Sequence, residues 1–216
     1  LDKKFGKDRV IDTPVSEWAT TSAAIGAALN GLKPIVIHPR MDFMVLATDS
    51  LVNQAAKWNH MLGGQASPAL TVRSIINRGG EQGAQHSQAL QSWYAHIPGL
   101  RVVMPATVRD ARDLLIAATL SPDPVLYIDD RWLYGQKEDL PPPSDLDLNK
   151  IGNQVLREGS DVTLAGCSWA TLLNLQAADA LAGNGISAEV VDCRILNPFD
   201  RGPLVNSVAN TGRLLA

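Results

Sequence analysis

Apolar residues fall into two alternating kinds of run along the chain. "PIVIH" (34–38), "ALTVRS" (69–74), "RVVM" (101–104) and "PVLYID" (124–129) are strand-length and mostly apolar, as in strands buried on both faces. Helix-length segments lie around 16–29, 50–62, 87–96 and 107–120. The first, "SEWATTSAAIGAAL", is small and apolar all round, which predicts a helix buried on most sides and closed by a left-handed Gly31. "RVID" (9–12) reads as a strand leading into it through Thr13-Pro14. Gly63-Gly64 end the second helix, and Thr107 suits the N-cap of the fourth. Strands alternating with helices predict an α/β fold, a parallel sheet flanked by helices.

The pattern breaks over 136–150, "QKEDLPPPSDLDLNK", whose prolines and charges read as an interdomain linker. A second α/β unit follows: "DVTLAG" (161–166), a helix over 170–181, "SAEVVDC" (187–193), a helix over 200–208, and "GRLLA". The expected domains are therefore 1–135 and 151–216, with 136–150 between them. The second reads as shorter than a complete unit of this kind.

Bulk properties narrow the function classes. With 45% hydrophobic and 19% charged residues the 216-residue chain is globular, and a net charge of −3 gives no reason to expect nucleic acid or an anionic membrane as partner. No apolar run is long enough to span a bilayer, and the first residues lack the apolar segment of a signal peptide. Cys167 and Cys193 sit in apolar runs without CxxC spacing, which predicts reduced core thiols and a cytoplasmic location. The five Trp are expected in the core or at interfaces.

Phosphate loops, dinucleotide fingerprints, HExxH and paired Cys/His metal sets are all missing, and Ser168 in "GCSWA" lacks the hydrolase pattern. Two stretches remain. Glu17 opens the apolar helix, where a helix N-terminus favours the carboxylate and an apolar pocket favours the acid. That conflict suits a proton-sharing group, and it equally describes a first-turn Glu held by the helix dipole. His86 follows the glycine-rich "NRGGEQGAQ" (77–85) and offers an imidazole for proton transfer, or it hydrogen-bonds its own loop. His96 reads as a turn residue, and His38 and His60 as packing or surface residues.

"DRVIDTPVSEWATTSAAIGAALNGLKPIV", "GAQHSQALQSWYAHIPGLRVVMPATVRDARDLL" and "PVLYIDDRWLYG" together resemble the beta subunit of the thiamine-diphosphate-dependent 2-oxo acid dehydrogenase component of pyruvate and branched-chain type. "VLREGSDVTLAG" and "AADALAGNGISAEVVDCRILNPFD" resemble that family's transketolase-type C-terminal domain. The resemblance implies that Glu17 hydrogen-bonds the pyrimidine nitrogen N1′ of thiamine diphosphate and shares a proton there, promoting the imino tautomer that deprotonates the thiazolium. Phe43 matches the aromatic that packs on the aminopyrimidine, and His86 the histidine that assists proton transfer and acyl handover to a lipoyl group.

The same resemblance implies an alpha subunit supplying the diphosphate and Mg2+ site in an α2β2 assembly, a lipoyl acyltransferase as acceptor, and K+ on backbone carbonyls near Leu70, Ala118, Ser121 and Asp123. Ser121 departs from the acidic residue common there. "IHPRMDF" (37–43) departs from the family's usual wall, with Pro39 and Arg40 near pyrimidine and substrate. The resemblance also implies a strand and helix of the first domain ahead of Leu1. Other readings are a different transketolase-type thiamine enzyme, such as a deoxyxylulose-phosphate synthase, and a non-catalytic interface subunit.

Overall fold

The computed structural model describes residues 1–77, 82–143 and 146–216. Asp2–Phe5 forms a single helical turn, α1, and residues 11–16 run exposed and irregular to the helix Glu17–Leu29, α2. No strand forms at 9–12, which pairs with none of the strands in either sheet. α2 buries Thr21, Ala24, Ile25 and Ala28, one stripe at helical spacing rather than most of its surface, and Trp18 remains 57% exposed. It ends as expected: Gly31 at φ +88 lets its own N–H reach the Ala28 carbonyl and that of Leu32 reach Ala27.

The strand Ile35–His38, β1, is followed by a helical run over 41–61 that starts earlier than its sequence suggests and is broken in four. These pieces are Met41–Met44 (α3), a 3₁₀ turn at Val45–Ala47, a π-helix at Ser50–Ala55 and Trp58–Met61 (α4). The buried residues explain the irregularity. Met41, Met44, Ala47, Leu51 and Ala55 are spaced three, three, four and four apart, so a tight turn and then a wide one keep all of them on the core side.

Next come Thr71–Ile76 (β2), Gln91–Ala95 (α5), Arg101–Val103 (β3), Val108–Leu120 (α6) and Val125–Asp130 (β4). Thr107 caps α6, accepting from the N–H of Asp110 at 3.1 Å. α5 is half the length its sequence predicts, because side chains capture the preceding backbone. Gln88 N–H donates to Asp42 and Leu90 N–H to the Met41 sulfur. Gly99 then turns the chain where a Cβ would lie 2.0 Å from the Ala56 carbonyl oxygen.

The second unit contains Gln154–Arg157 (β5), Val162–Gly166 (β6), Trp169–Ala182 (α7), Ala188–Asp192 (β7), Ile195–Asn197 (β8), Gly202–Thr211 (α8) and Leu214–Leu215 (β9). The first sheet has the order β1-β2-β4-β3-β8, its first four strands parallel. The second has the order β5-β7-β6-β9, with β5 antiparallel. β8 comes from the second unit in sequence yet pairs antiparallel with β3, Val102 opposite Asn197. Asn197 Nδ2 also donates to the carbonyls of Ile97 (3.0 Å) and Leu100 (2.7 Å).

Both faces of the first sheet are covered at β4, whereas Ile35 and Ile37 of β1, expected from sequence to be buried on both faces, stay 46% and 51% exposed at the sheet edge. Leu126 and Ile128 of β4 pack with Met41, Met44, Leu51 and Tyr94, while Val125 and Tyr127 pack with Leu114, Ala117 and Ala118 of α6. Leu148, from the segment read as a linker, is buried in that second layer beside Ile195, so this segment is docked along the body. In the second sheet Leu164, Ala188 and Val190 pack with Ala178 of α7, and Ala165, Val191 and Cys193 with Leu204 of α8. None of the five Trp is a core residue. Trp132 and Trp169 instead meet edge to face at 4.8 Å, joining the two units.

Candidate active site

In parallel α/β sheets the carboxyl ends of the strands open onto loops that bind ligands. Here the segment after β1, the mouth of α2 and the loop before α5 meet in a cavity of about 380 Å³. It is lined by Val15, Glu17, His38, Pro39, Arg40, Phe43, Gln82 and His86. Glu17, Phe43 and His86, separated by up to 69 positions in sequence, thus face one space. The Phe43 and His86 rings are edge to face, with centroids 5.1 Å apart. Residues 78–81 of the glycine-rich loop lie outside the described residues.

Asp42 fixes His86 in this position. It is buried, and its Oδ1 accepts from both the backbone N–H (3.1 Å) and the side-chain amide (2.8 Å) of Gln88, two residues beyond the imidazole. Its Oδ2 is buried without a partner. His38, read from sequence as packing or surface, is buried in the cavity wall with its Nε2 3.1 Å from Thr21 Oγ1. Burial lowers its pKa, opposed by the Glu17 charge, so this imidazole is neutral at physiological pH. A histidine at the end of an apolar strand run was the available signal; Asp42 and Gln82 gave none.

The helix mouth is more open than its composition suggests. Glu17 is half-buried, while Val15 beside it is 95% exposed. A carboxylate, an aromatic edge and two imidazoles around an open cavity can hold a heteroaromatic ring and exchange a proton with it.

The chain matches the model for the transketolase pyrimidine-binding domain over residues 1–136 and that for the transketolase C-terminal domain over 153–216. The chain belongs to the transketolase family. It is 42% identical to the pyruvate dehydrogenase E1 component subunit beta-2, mitochondrial, of Oryza sativa subsp. japonica, covering 98% of this chain and 57% of that protein. It is 39% identical to the pyruvate dehydrogenase E1 component subunit beta of Rhizobium meliloti, covering 100% and 47%. It is also 41% identical to the acetoin:2,6-dichlorophenolindophenol oxidoreductase subunit beta of Cupriavidus necator, covering 96% and 61%. The chain thus spans about half the length of the curated relatives it matches. A split-gene transketolase solved as an inactive beta4 tetramer shares the fold, with a TM-score of 0.76 at 23% identity over 99% of this chain and 68% of that one.

Cys167 and Cys193 are not joined in a disulfide; Cys167 is half-buried, and Cys193 is buried with its pKa pushed up by that burial. His60 and His96 are exposed. No helix among the described residues is long and apolar enough to cross a membrane, and no cluster of three metal-ligating side chains occurs among them. Ser168 has the strained backbone of a strand-to-helix elbow (φ +52), but its hydroxyl is buried without a partner and all four histidines lie in the first unit.

At the end of α6 the carbonyls of Leu70 and Ala118 already accept backbone N–H groups, from Val125 and Ser121. The Lys33 ammonium donates to the carbonyls of Leu120 (2.8 Å) and Ser121 (3.2 Å). A tethered cation therefore sits on this helix C-terminus, where the dipole favours positive charge.

Proposed function

We propose that this chain is the beta-type half of a thiamine-diphosphate-dependent 2-oxo acid dehydrogenase component, lining the aminopyrimidine side of a shared active site. The observation that carries it is the convergence of Glu17, Phe43 and His86 on one cavity, in a chain about 40% identical to E1 beta subunits. These groups fit an aminopyrimidine: a carboxylate for a ring nitrogen, an aromatic wall to pack against, and an imidazole to carry a proton. Thiamine diphosphate, when bound, supplies the carbon nucleophile and the electron sink for loss of CO2 from a 2-oxo acid.

The protein's share is positional. Glu17 holds a proton at the pyrimidine nitrogen, helped by its place at the mouth of α2. His86, set by the Asp42–Gln88 clamp, moves a proton at the substrate and assists acyl transfer to the lipoyl group of an acyltransferase. An alpha subunit supplies the diphosphate and Mg2+ site in an α2β2 assembly and covers the open helix mouth around Val15 and Trp18. Lys33 serves where a monovalent cation would otherwise sit. The two cysteines, not joined in a disulfide, support a reducing, cytoplasm-like compartment.

The test is Glu17→Gln in the complex purified from its own cells. Native mass spectrometry should show the variant assembled with equal copies of a second chain, while CO2 release falls at least about 100-fold because the proton-sharing group is gone. Near-normal turnover would remove Glu17 from the mechanism and the proposal with it.

A further inference from the structure

The cavity wall carries a cation that the proposed chemistry does not use. Arg40 lies two residues beyond the end of β1 and lines the same space as Glu17, Phe43 and His86. Its guanidinium is held in place: Nε and Nη2 both donate to Gln82 Oε1, at 3.3 and 2.8 Å, and Nη1 donates to the Pro39 carbonyl at 2.8 Å. Each terminal nitrogen keeps one further N–H to offer.

Arg73, Arg101, Arg112, Arg157 and Arg194 each pair with an aspartate. Arg40 pairs with no carboxylate among the described residues; its fixed partners are a neutral amide and a carbonyl. A guanidinium pre-oriented by neutral groups, with donors left over, is built to receive an anion.

We propose that Arg40 makes this site selective for an acyl donor bearing a second anionic group, a carboxylate or phosphate beyond the one lost as CO2. This rests on the decarboxylase reading above. The reacting carboxylate itself is a poor target. Its negative charge moves away from it in the transition state, so a guanidinium on it would stabilise the ground state more and slow the reaction. A distal anion keeps its charge throughout, and binding it positions the substrate without opposing the chemistry.

The experiment uses the purified complex with its cofactors. Turnover is measured with pyruvate, 2-oxobutyrate and acetoin as donors without a second anionic group, and with 2-oxoglutarate and 3-phosphohydroxypyruvate as donors that carry one. Binding of each is measured separately by calorimetry. The wild type should favour a doubly anionic donor in kcat/KM, the carboxylate and phosphate arms showing which. Arg40→Met should lower kcat/KM for that donor about 10- to 100-fold more than for pyruvate, mainly through KM. Arg40→Lys should restore part of the loss, keeping the charge but not the fork.

A wild type that prefers donors without a second anionic group overturns the proposal, as does an Arg40→Met loss equal for both classes. If no 2-oxo acid turns over but a doubly anionic ligand still binds in an Arg40-dependent way, the decarboxylase reading fails and the anion site stands. If neither is seen, both fall.

Discussion

Replacing Asp110 by Asn tests how the two units are joined. Asp110 on α6 and Arg194, between β7 and β8, lie 2.7 Å apart with side chains 5% and 16% exposed. Burial pushes the Asp110 pKa up, outweighing the downward pull of Arg194, so the carboxylate is desolvated at a cost the pair does not fully recover. Such a pair adds little over an apolar replacement, but removing one member strands the other's charge. In Asp110→Asn the largely buried guanidinium keeps its 2.8 Å bond to the Gly152 carbonyl and loses its hydrogen-bonded counter-charge, leaving only the through-space pull of Asp192, and Gln154, now 3.0 Å from Asp110, faces an amide. The expected loss is about 3–5 kcal/mol.

For a chain of this size, that loss lowers the melting temperature by about 6–20 °C. Thermal and urea unfolding of the variant beside the wild type measure it. The matching control replaces both partners, Asp110→Leu with Arg194→Met, and should return to within about 1.5 kcal/mol of the wild type. A single-variant loss below about 1 kcal/mol, or a double variant no better than the single, refutes the stranded-charge argument.

Two further predictions concern charge. Burial raises the Asp192 pKa from 3.8 to about 6, against hydrogen bonds from Thr171 and Gln154. The folded protein thus holds this proton more tightly than the unfolded chain, so the contribution is full below the unfolded value and is lost as pH rises through about 6. Asp192→Asn should therefore gain up to about 3 kcal/mol relative to wild type between pH 4 and 7 in urea titrations; a constant difference would contradict this. Lys33→Met should cost about 1 kcal/mol by leaving the Leu120 and Ser121 carbonyls without their cation. Wild-type melting should be the same in KCl and NaCl of equal strength, and a selective K+ stabilisation would count against the tethered-cation reading.

Much of the fold was legible because its signals are local. Strands buried on both faces have continuous apolar runs, and Thr107 and Gly31 mark helix ends with chemistry that works the same way in any fold. What was hidden depends on distant partners. "ILN" (195–197) becomes a strand only because β3 offers it an edge. The helix expected over 87–96 is shortened because Asp42 and Met41 claim its first N–H groups. The irregular run at 41–61 obeys burial rather than a fixed period. Of the candidate site, Glu17, Phe43 and His86 were identifiable through family likeness. His38, Asp42 and Gln82 required the loops to be placed.

The strand exchange between the units has a consequence for biosynthesis. β3 cannot receive β8 until nearly a hundred further residues have been made, since Val102 waits for Asn197. At ribosomal speeds of about 5–20 residues per second, that leaves a nascent sheet with a bare edge for roughly 5–20 seconds. During that interval neighbouring nascent chains on one message compete for the same edge. The tight anchoring of Asn197 to the Ile97 and Leu100 carbonyls then selects the chain's own strand once it emerges. Slow synthesis through residues 104–194 should therefore lower the yield of native chain, even though every codon in that stretch encodes the same protein.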